Sequence, residues 1–435
     1  MNRVRTRKEA MVGQATTIVN ARIFDGIRRQ RWTSVRFTGG VIVGLSEVSL
    51  AQDGDTIIDA EHGTLLPGLI DSHVHLVPGA LEQSLTFGVT TVLDMFSRPD
   101  DAASARATAD SRLDVADIRS AGFGATAPGG HPSTMYAPIP TLTEASQAEQ
   151  FVVERIAEGS SYLKIISGVA SLWPALHSTT IAALVSAAHD RGLLTVAHVS
   201  SVAGVDQVLP AGVDVIAHVP MDAELSDSLV RMIAEAGIAV VPTLSTIENT
   251  IDGAGGEAVA NDQRLARYLG ERSLRELTAV ASARRVMPPY SRAENAVARL
   301  SQAGVTILAG TDAPNPGTFF GASLHRELEL LVRCGLTTEQ ALAAATSEPA
   351  RVFGLDDRGR IAVGLRADLL LLEADPLTEI AETRAIRQIW RAGVVHVRRT
   401  FVPNEAEVEK LEAFDARVAA AVEMVRNRRG GFGAR

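Results

Sequence analysis

Eight short Val/Ile/Leu-rich runs, most of them followed by an amphipathic helical stretch, constrain this chain more than any other feature. They are Leu65–His75, Thr90–Met95, Asp117–Gly122, Tyr162–Ile166, Leu193–His198, Val213–His218, Ile238–Leu244 and Val305–Asp312. Continuous apolar runs alternating with helices imply parallel strands covered on both faces. Eight such units across roughly 250 residues match the count and size of a (β/α)8 TIM barrel. The stretch "TIAALVSAAHDRG" has the apolar spacing of an outer helix and ends at Gly192, a helix-stop signal.

The flanks follow another rule. Around Thr16–Val48 and Gly359–Arg398 the residues alternate and turn at glycines, as antiparallel strands do. Two such pieces at opposite ends predict one small composite β-sandwich domain. The expected division is 1–62 and 358–435 for that domain, the second part including a terminal helix and tail, with 63–357 forming the barrel. The last ten residues, "RNRRGGFGAR", read as a frayed basic tail. A long connection, Ser245–Gly304, lies where barrels carry lids or substrate contacts. Its Arg/Glu-rich stretch "RLARYLGERSLRELTAV" reads as a solvated helix face or as part of a lid.

Composition narrows the partners. With 435 residues, 46% apolar and 21% charged, the chain suits a globular protein with a sizeable core and not a disordered one. A net charge of −9 and 4% aromatics offer nucleic acid neither a basic footprint nor stacking platforms. The single cysteine, Cys334, excludes an intramolecular disulfide and a thiolate metal cluster, and within "LLVRCGL" it reads as core packing. No apolar run approaches the ~18 residues that span a bilayer, and the start lacks a secretory apolar segment. A cytoplasmic protein with a small-molecule substrate, no membrane partner and a homo-oligomeric state is expected.

Barrel active sites form at the C-terminal ends of the strands, and five candidate ligands fall there. "LPGLIDSHVHL" gives His73 and His75, two apart and so on one side of a strand. "LTVAHVS" ends at His198, "DVIAHVP" at His218, and "ILAGTDAP" carries Asp312. Such a His/Asp set suits zinc, manganese, nickel or cobalt more than an all-oxygen calcium or magnesium site. Asp71 is either a support for those histidines or a strand-end polar residue. Only three of the 42 basic residues are lysines, and Lys164 sits inside the apolar run "YLKII". A buried lysine needs a partner or a function. Burial beside cations favours the neutral amine, which can take up carbon dioxide to give a carbamate able to bridge two metals.

These motifs, in this order, resemble the amidohydrolase superfamily, and the resemblance extends from "NARIFDG" to "GRIAVGLRADLLLLEADPL". It implies a binuclear site: His73, His75 and Asp312 on one divalent ion, His198 and His218 on the second, and carboxylated Lys164 with a hydroxide bridging them. Zinc is the first expectation, with Mn2+, Co2+ or Ni2+ as alternatives, and Asp312 would shuttle the proton. The family's one-metal deaminases usually carry a glutamate soon after the fifth-strand histidine, whereas here His198 is followed by "VSSVAG". The closer resemblance is to the prolidase-like and imidazolonepropionase-like branch, although imidazolonepropionase itself works without the lysine. In "GGHPSTMY", the resemblance makes His131 a catalytic or substrate-side residue and Tyr136 a substrate contact; for both, an ordinary loop residue is the alternative. His62, His177, His189, His325 and His396 are expected to be non-ligands and Asp94 structural. The activity implied is hydrolysis of an amide-type C–N bond in a dipeptide, N-acyl amino acid or aryl amide. Carbamate, urea or ester hydrolysis at the same site, and a non-catalytic scaffold, are the alternatives.

Overall fold

The structure is a computed structural model that describes residues 14–133, 138–167, 173–253, 255–279 and 288–430. Seven of the eight runs form parallel strands. Leu69–Val74, Val89–Asp94 and Asp117–Ser120 make one sheet; Leu163–Ile166, Thr195–His198, Val215–Ala217 and Ala239–Val241 make another. Helices such as Pro99–Ser111, Ser178–His189 and Asp227–Glu235 separate them. Each strand is buried on both faces, as its unbroken apolar sequence requires.

The two sheets are joined on both sides. Between the third and fourth strands, Ser161 N donates to Ser120 O at 2.8 Å, and Ala125 pairs with the fourth strand through Lys164 O and Ile166 N. The eighth run forms no strand of its own, only bridges at Ile307 and Ala313. It still bonds both neighbours: Leu308 N to Val240 O at 2.8 Å, and Ser72 N to Ala309 O at 2.9 Å. Ile70, Val196, Val215, Val241 and Leu308 fill the space enclosed by the strands. A larger apolar cluster seats the helices outside them.

The run read as one strand, Leu65–His75, is two. Thr64–Pro67 belongs to a six-stranded sheet with Arg22–Phe24, Arg29–Gln30, Leu369–Leu372, Ile386–Arg391 and Val394–His396. Gly68 marks the break, where a side chain would strike Thr90. Both ends of the chain therefore meet in one sheet, with Leu369–Leu372 antiparallel to Thr64–Pro67. A four-stranded sheet of Thr16–Val19, Ser34–Thr38, Val41–Ser46 and Thr56–Asp59 faces it across Ile18, Phe37, Leu371 and Trp390. The tail also departs from expectation, because the helix Glu405–Gly430 takes up part of the sequence read as frayed. No described helix is long and apolar enough to cross a membrane.

The close seating of the eighth run on the first strand depends on Gly310. A Cβ there would lie 2.6 Å from Val241 Cγ1 and 2.9 Å from His73 N. Gly310→Ala is expected to lower unfolding free energy by about 1–3 kcal/mol, the usual range for overpacking, in denaturant titrations of the purified protein. An unchanged midpoint would mean that the run is seated less closely than described.

Candidate metal centre

The strand ends converge on one cavity of about 210 Å³, lined by His73, His75, His131, Lys164, His198, His218 and Asp312. Tyr136 lies outside the described residues. Asp312 is central: its Oδ1 is 2.9 Å from His75 Nε2 and 3.3 Å from His73 Nε2, and its Oδ2 is 4.0 Å from His218 Nε2. His218 Nε2 is in turn 3.3 Å from His198 Nδ1. Two nitrogens or oxygens held ~2.1 Å from a tetrahedral ion would be about 3.4 Å apart. These spacings fit that requirement. Donor atoms of His73, His218 and Asp312 all lie within 4.8 Å of one another.

The surroundings hold these groups in place. Asp71 is fully buried and accepts from Thr311 N at 3.0 Å, Thr311 Oγ1 at 2.7 Å and His73 N at 3.1 Å. It thereby fixes the first strand and the eighth run together; its partners are backbone and hydroxyl groups and not an imidazole, so it acts on strand placement. His218 Nδ1 pairs with Thr243 Oγ1, and His75 Nδ1 faces Phe96 O at 3.5 Å. Such partners orient a ligating imidazole and select its free nitrogen. Asp312 has a left-handed backbone, φ 58°, stabilised by Asn315 Nδ2 donating to its carbonyl. Non-glycine residues adopt this conformation uncommonly, and here it turns the chain at the candidate ligand itself.

Burial sets the charge states. It holds His73 and His198 well below the ordinary imidazole value and pushes His131 and His218 down to about 4. Neutral imidazoles are the form that binds metal. For Asp312, burial acts to raise the carboxyl, but the hydrogen bond with His75 and the neighbouring cationic groups outweigh it, and the net shift is downward. The Lys164 ammonium is pushed down to about 7 by burial, against the opposing pull of Asp312 and Asp94. Lys164 Nζ and His73 Nδ1 are buried without a hydrogen-bond partner. The donor set and these two unmatched atoms suit a cationic centre with an anionic bridge.

Other residues fall where the sequence placed them. Asp94 is structural, accepting from Ser97, Ser120 and Leu76 N. His177 caps a helix, His189 pairs with Asp214, and buried His325 bonds Thr383 and Phe87 O. His62 and His396 are absent from the cavity lining. Two features escaped sequence reasoning. Thr243 carried a weak signal as a polar residue closing the seventh strand, whereas Phe414 and Val418 reach the cavity from the C-terminal helix, whose apolar spacing marks a buried face without naming what it covers.

A profile described as "Amidohydrolase family" matches residues 64–397. An uncharacterized protein of Mycobacterium tuberculosis is 29% identical over 345 residues, covering 74% of this chain and 82% of that one. An imidazolonepropionase of Mycolicibacterium smegmatis is 28% identical over 362 residues, covering 77% and 83%. Among solved structures, a Xaa-Pro dipeptidase with bound methionine superposes with a TM-score of 0.71 at 23% identity, over 88% of this chain and 100% of that one. The shared architecture is a TIM-barrel-like α/β fold.

The depressed Lys164 value gives a stability test on metal-free protein in carbon-dioxide-free buffer. The unfolded chain keeps this proton up to ~10.4, whereas the folded protein releases it near 7. Between those values the unfolded state binds more protons, so Lys164 destabilises the fold most at and below pH 7 and progressively less as pH rises. Lys164→Met should therefore be more stable than wild type at pH 6, with the difference shrinking toward pH 10. Parallel stability curves for the two proteins would show that Lys164 titrates normally.

Proposed function

The chain belongs to the amidohydrolase family, and from that premise we propose that this metal-dependent hydrolase of C–N bonds uses two divalent ions to cleave an amide-type bond in a small molecule. The observation that carries the two-metal reading is Lys164: a fully buried amine, unpartnered, in the same cavity as five histidines and an aspartate. As a carbamate it becomes the anion that the unmatched Nζ invites. His73, His75 and Asp312 would hold one ion, His198 and His218 the other, and Lys164 would serve both. Zinc fits this donor set, as do manganese, cobalt and nickel. Bound there, a divalent ion lowers the pKa of water from 15.7 to ~7 and polarises a carbonyl.

The chain's own groups do the rest. Asp312, kept ionised, is the acceptor for the attacking water's proton and the donor to the leaving nitrogen; general acid–base transfer of this kind contributes ~10²–10⁴-fold. Its two oxygens face different histidines, which keeps it in place during both transfers. His131, half-buried at the cavity wall and held neutral, would offer its ring N–H to the developing oxyanion. We take the parallel strands to close as an eight-stranded (β/α)8 barrel over 63–357. Residues 1–62 and 358–435 would form the composite β domain.

Metal analysis of the loaded protein is expected to find about two divalent ions per chain, and Lys164→Ala to lose one of them together with most activity, both restored by a short-chain carboxylic acid. One tight ion with full activity would remove the two-metal reading. Among Xaa-Pro dipeptides, N-acyl amino acids, anilides, carbamates and phenylureas, turnover is expected for a member of the first three groups. Hydrolysis of esters alone would overturn the preference for C–N bonds.

A further inference from the structure

The C-terminal helix Glu405–Gly430 opens with a strongly charged stretch, EAEVEKLE, yet Leu411 and Phe414 are only 4% and 9% exposed. Leu411, Phe414 and Val418 follow the i, i+3, i+7 spacing of one helix face. That face is directed at the strand ends. Phe414 and Val418 line the same cavity as the His/Asp/Lys cluster, and Leu411 lines an adjoining cavity of about 420 Å³ that shares Pro314 with it. The helix is held over this face by Arg272 of the helix Glu271–Thr278, whose two terminal nitrogens each lie 2.7 Å from an Asp415 oxygen.

The cavity is therefore two-sided. Its floor carries the candidate ligands. Its wall and roof carry Phe96, Ile166, Pro314, Phe414 and Val418, and among the described lining residues Lys164 is the only lysine or arginine. Nearby Arg272 is already committed to Asp415 and Glu276. Among the described lining residues of this cavity a free carboxylate or ammonium set against the apolar wall would lose hydration without gaining a charged partner there, since the helix's own Lys410 and Arg417 line a separate cavity that shares Phe414. An alkyl or aryl group would gain by leaving water there.

Resting on the hydrolase reading above, we propose that the C-terminal helix forms the substrate-selecting wall of this site. In this arrangement Phe414 is the specificity-determining residue, selecting an uncharged apolar group beside the scissile bond. The helix acts on substrate choice and not on the chemistry, since none of its described residues bonds a candidate ligand.

Hydroxamic acids, which chelate active-site metals, test this on the full-length zinc-loaded protein by calorimetry. Wild type is expected to bind acetohydroxamate, hexanohydroxamate and benzohydroxamate with rising affinity, and succinate monohydroxamate, of similar size but with a free carboxylate, more weakly than hexanohydroxamate. Phe414→Ala should weaken the two larger apolar probes about tenfold more than acetohydroxamate, the scale of losing a buried aromatic contact, and Phe414→Leu should recover much of that loss. Tightest binding of the carboxylate probe, or an equal loss across the series, would overturn the proposal. If no hydroxamate binds wild type, the metal reading fails, and the wall is then judged on metal-free protein. There Phe414→Ala should speed diethyl pyrocarbonate modification of His75 severalfold, and an unchanged rate would overturn the wall as well.

Discussion

The structure depends above all on the seam between the first parallel strand and the eighth run, fastened by one buried carboxylate. Asp71 takes hydrogen bonds from Thr311 and from the backbone of His73, while Asp312 N donates to His73 O and His75 N to Ala313 O. Residues from distant parts of the sequence are thereby set within hydrogen-bond distance. Burial pushes Asp71 itself up to about 7, its hydrogen bonds only partly countering that. An aspartate removed from water in this way tolerates no loss of partners, so the seam closes in one register. His73, His75 and Asp312 inherit that register.

The same desolvation that makes the seam exacting prepares the site electrostatically. Imidazoles that remain neutral in the folded protein leave lone pairs free, and the ionised Asp312 stands among them. A cation entering the cavity meets donors already in their binding state, with no proton to displace from His218 at neutral pH. Lys164 differs. Its release of a proton near 7 would make the proposed reaction with carbon dioxide sensitive to pH in a range where His131 and His218 do not change.

Much of this was legible in the sequence because the relevant signals are local. An apolar run names a strand, and its last polar residue names a position on the catalytic face; His198 and His218 are read in that way. The unlegible parts arise where two long-range demands meet. Leu65–His75 reads as one run because both of its halves are buried, but in different sheets, and Gly68 hints at the division. The eighth run reads as a strand, but its backbone bonds are divided among Val240, Ser72 and Ala344, and it forms only isolated bridges. The Phe414 contact is not legible because the spacing of Leu411, Phe414 and Val418 shows that one helix face is covered but not by what, and the cavity it meets is assembled from distant strand ends.

The six-stranded sheet has a further consequence for how the protein is made. Its strand Thr64–Pro67 is apolar and leaves the ribosome early, while its neighbour Leu369–Leu372 is synthesised only after the whole set of parallel strands. Until then one edge of Thr64–Pro67 has unpaired backbone groups, the kind of edge that recruits foreign strands. The nascent chain thus carries an open hydrophobic edge through nearly all of its synthesis. Truncated or stalled products, lacking the strand that covers it, are the species in which aggregation would begin.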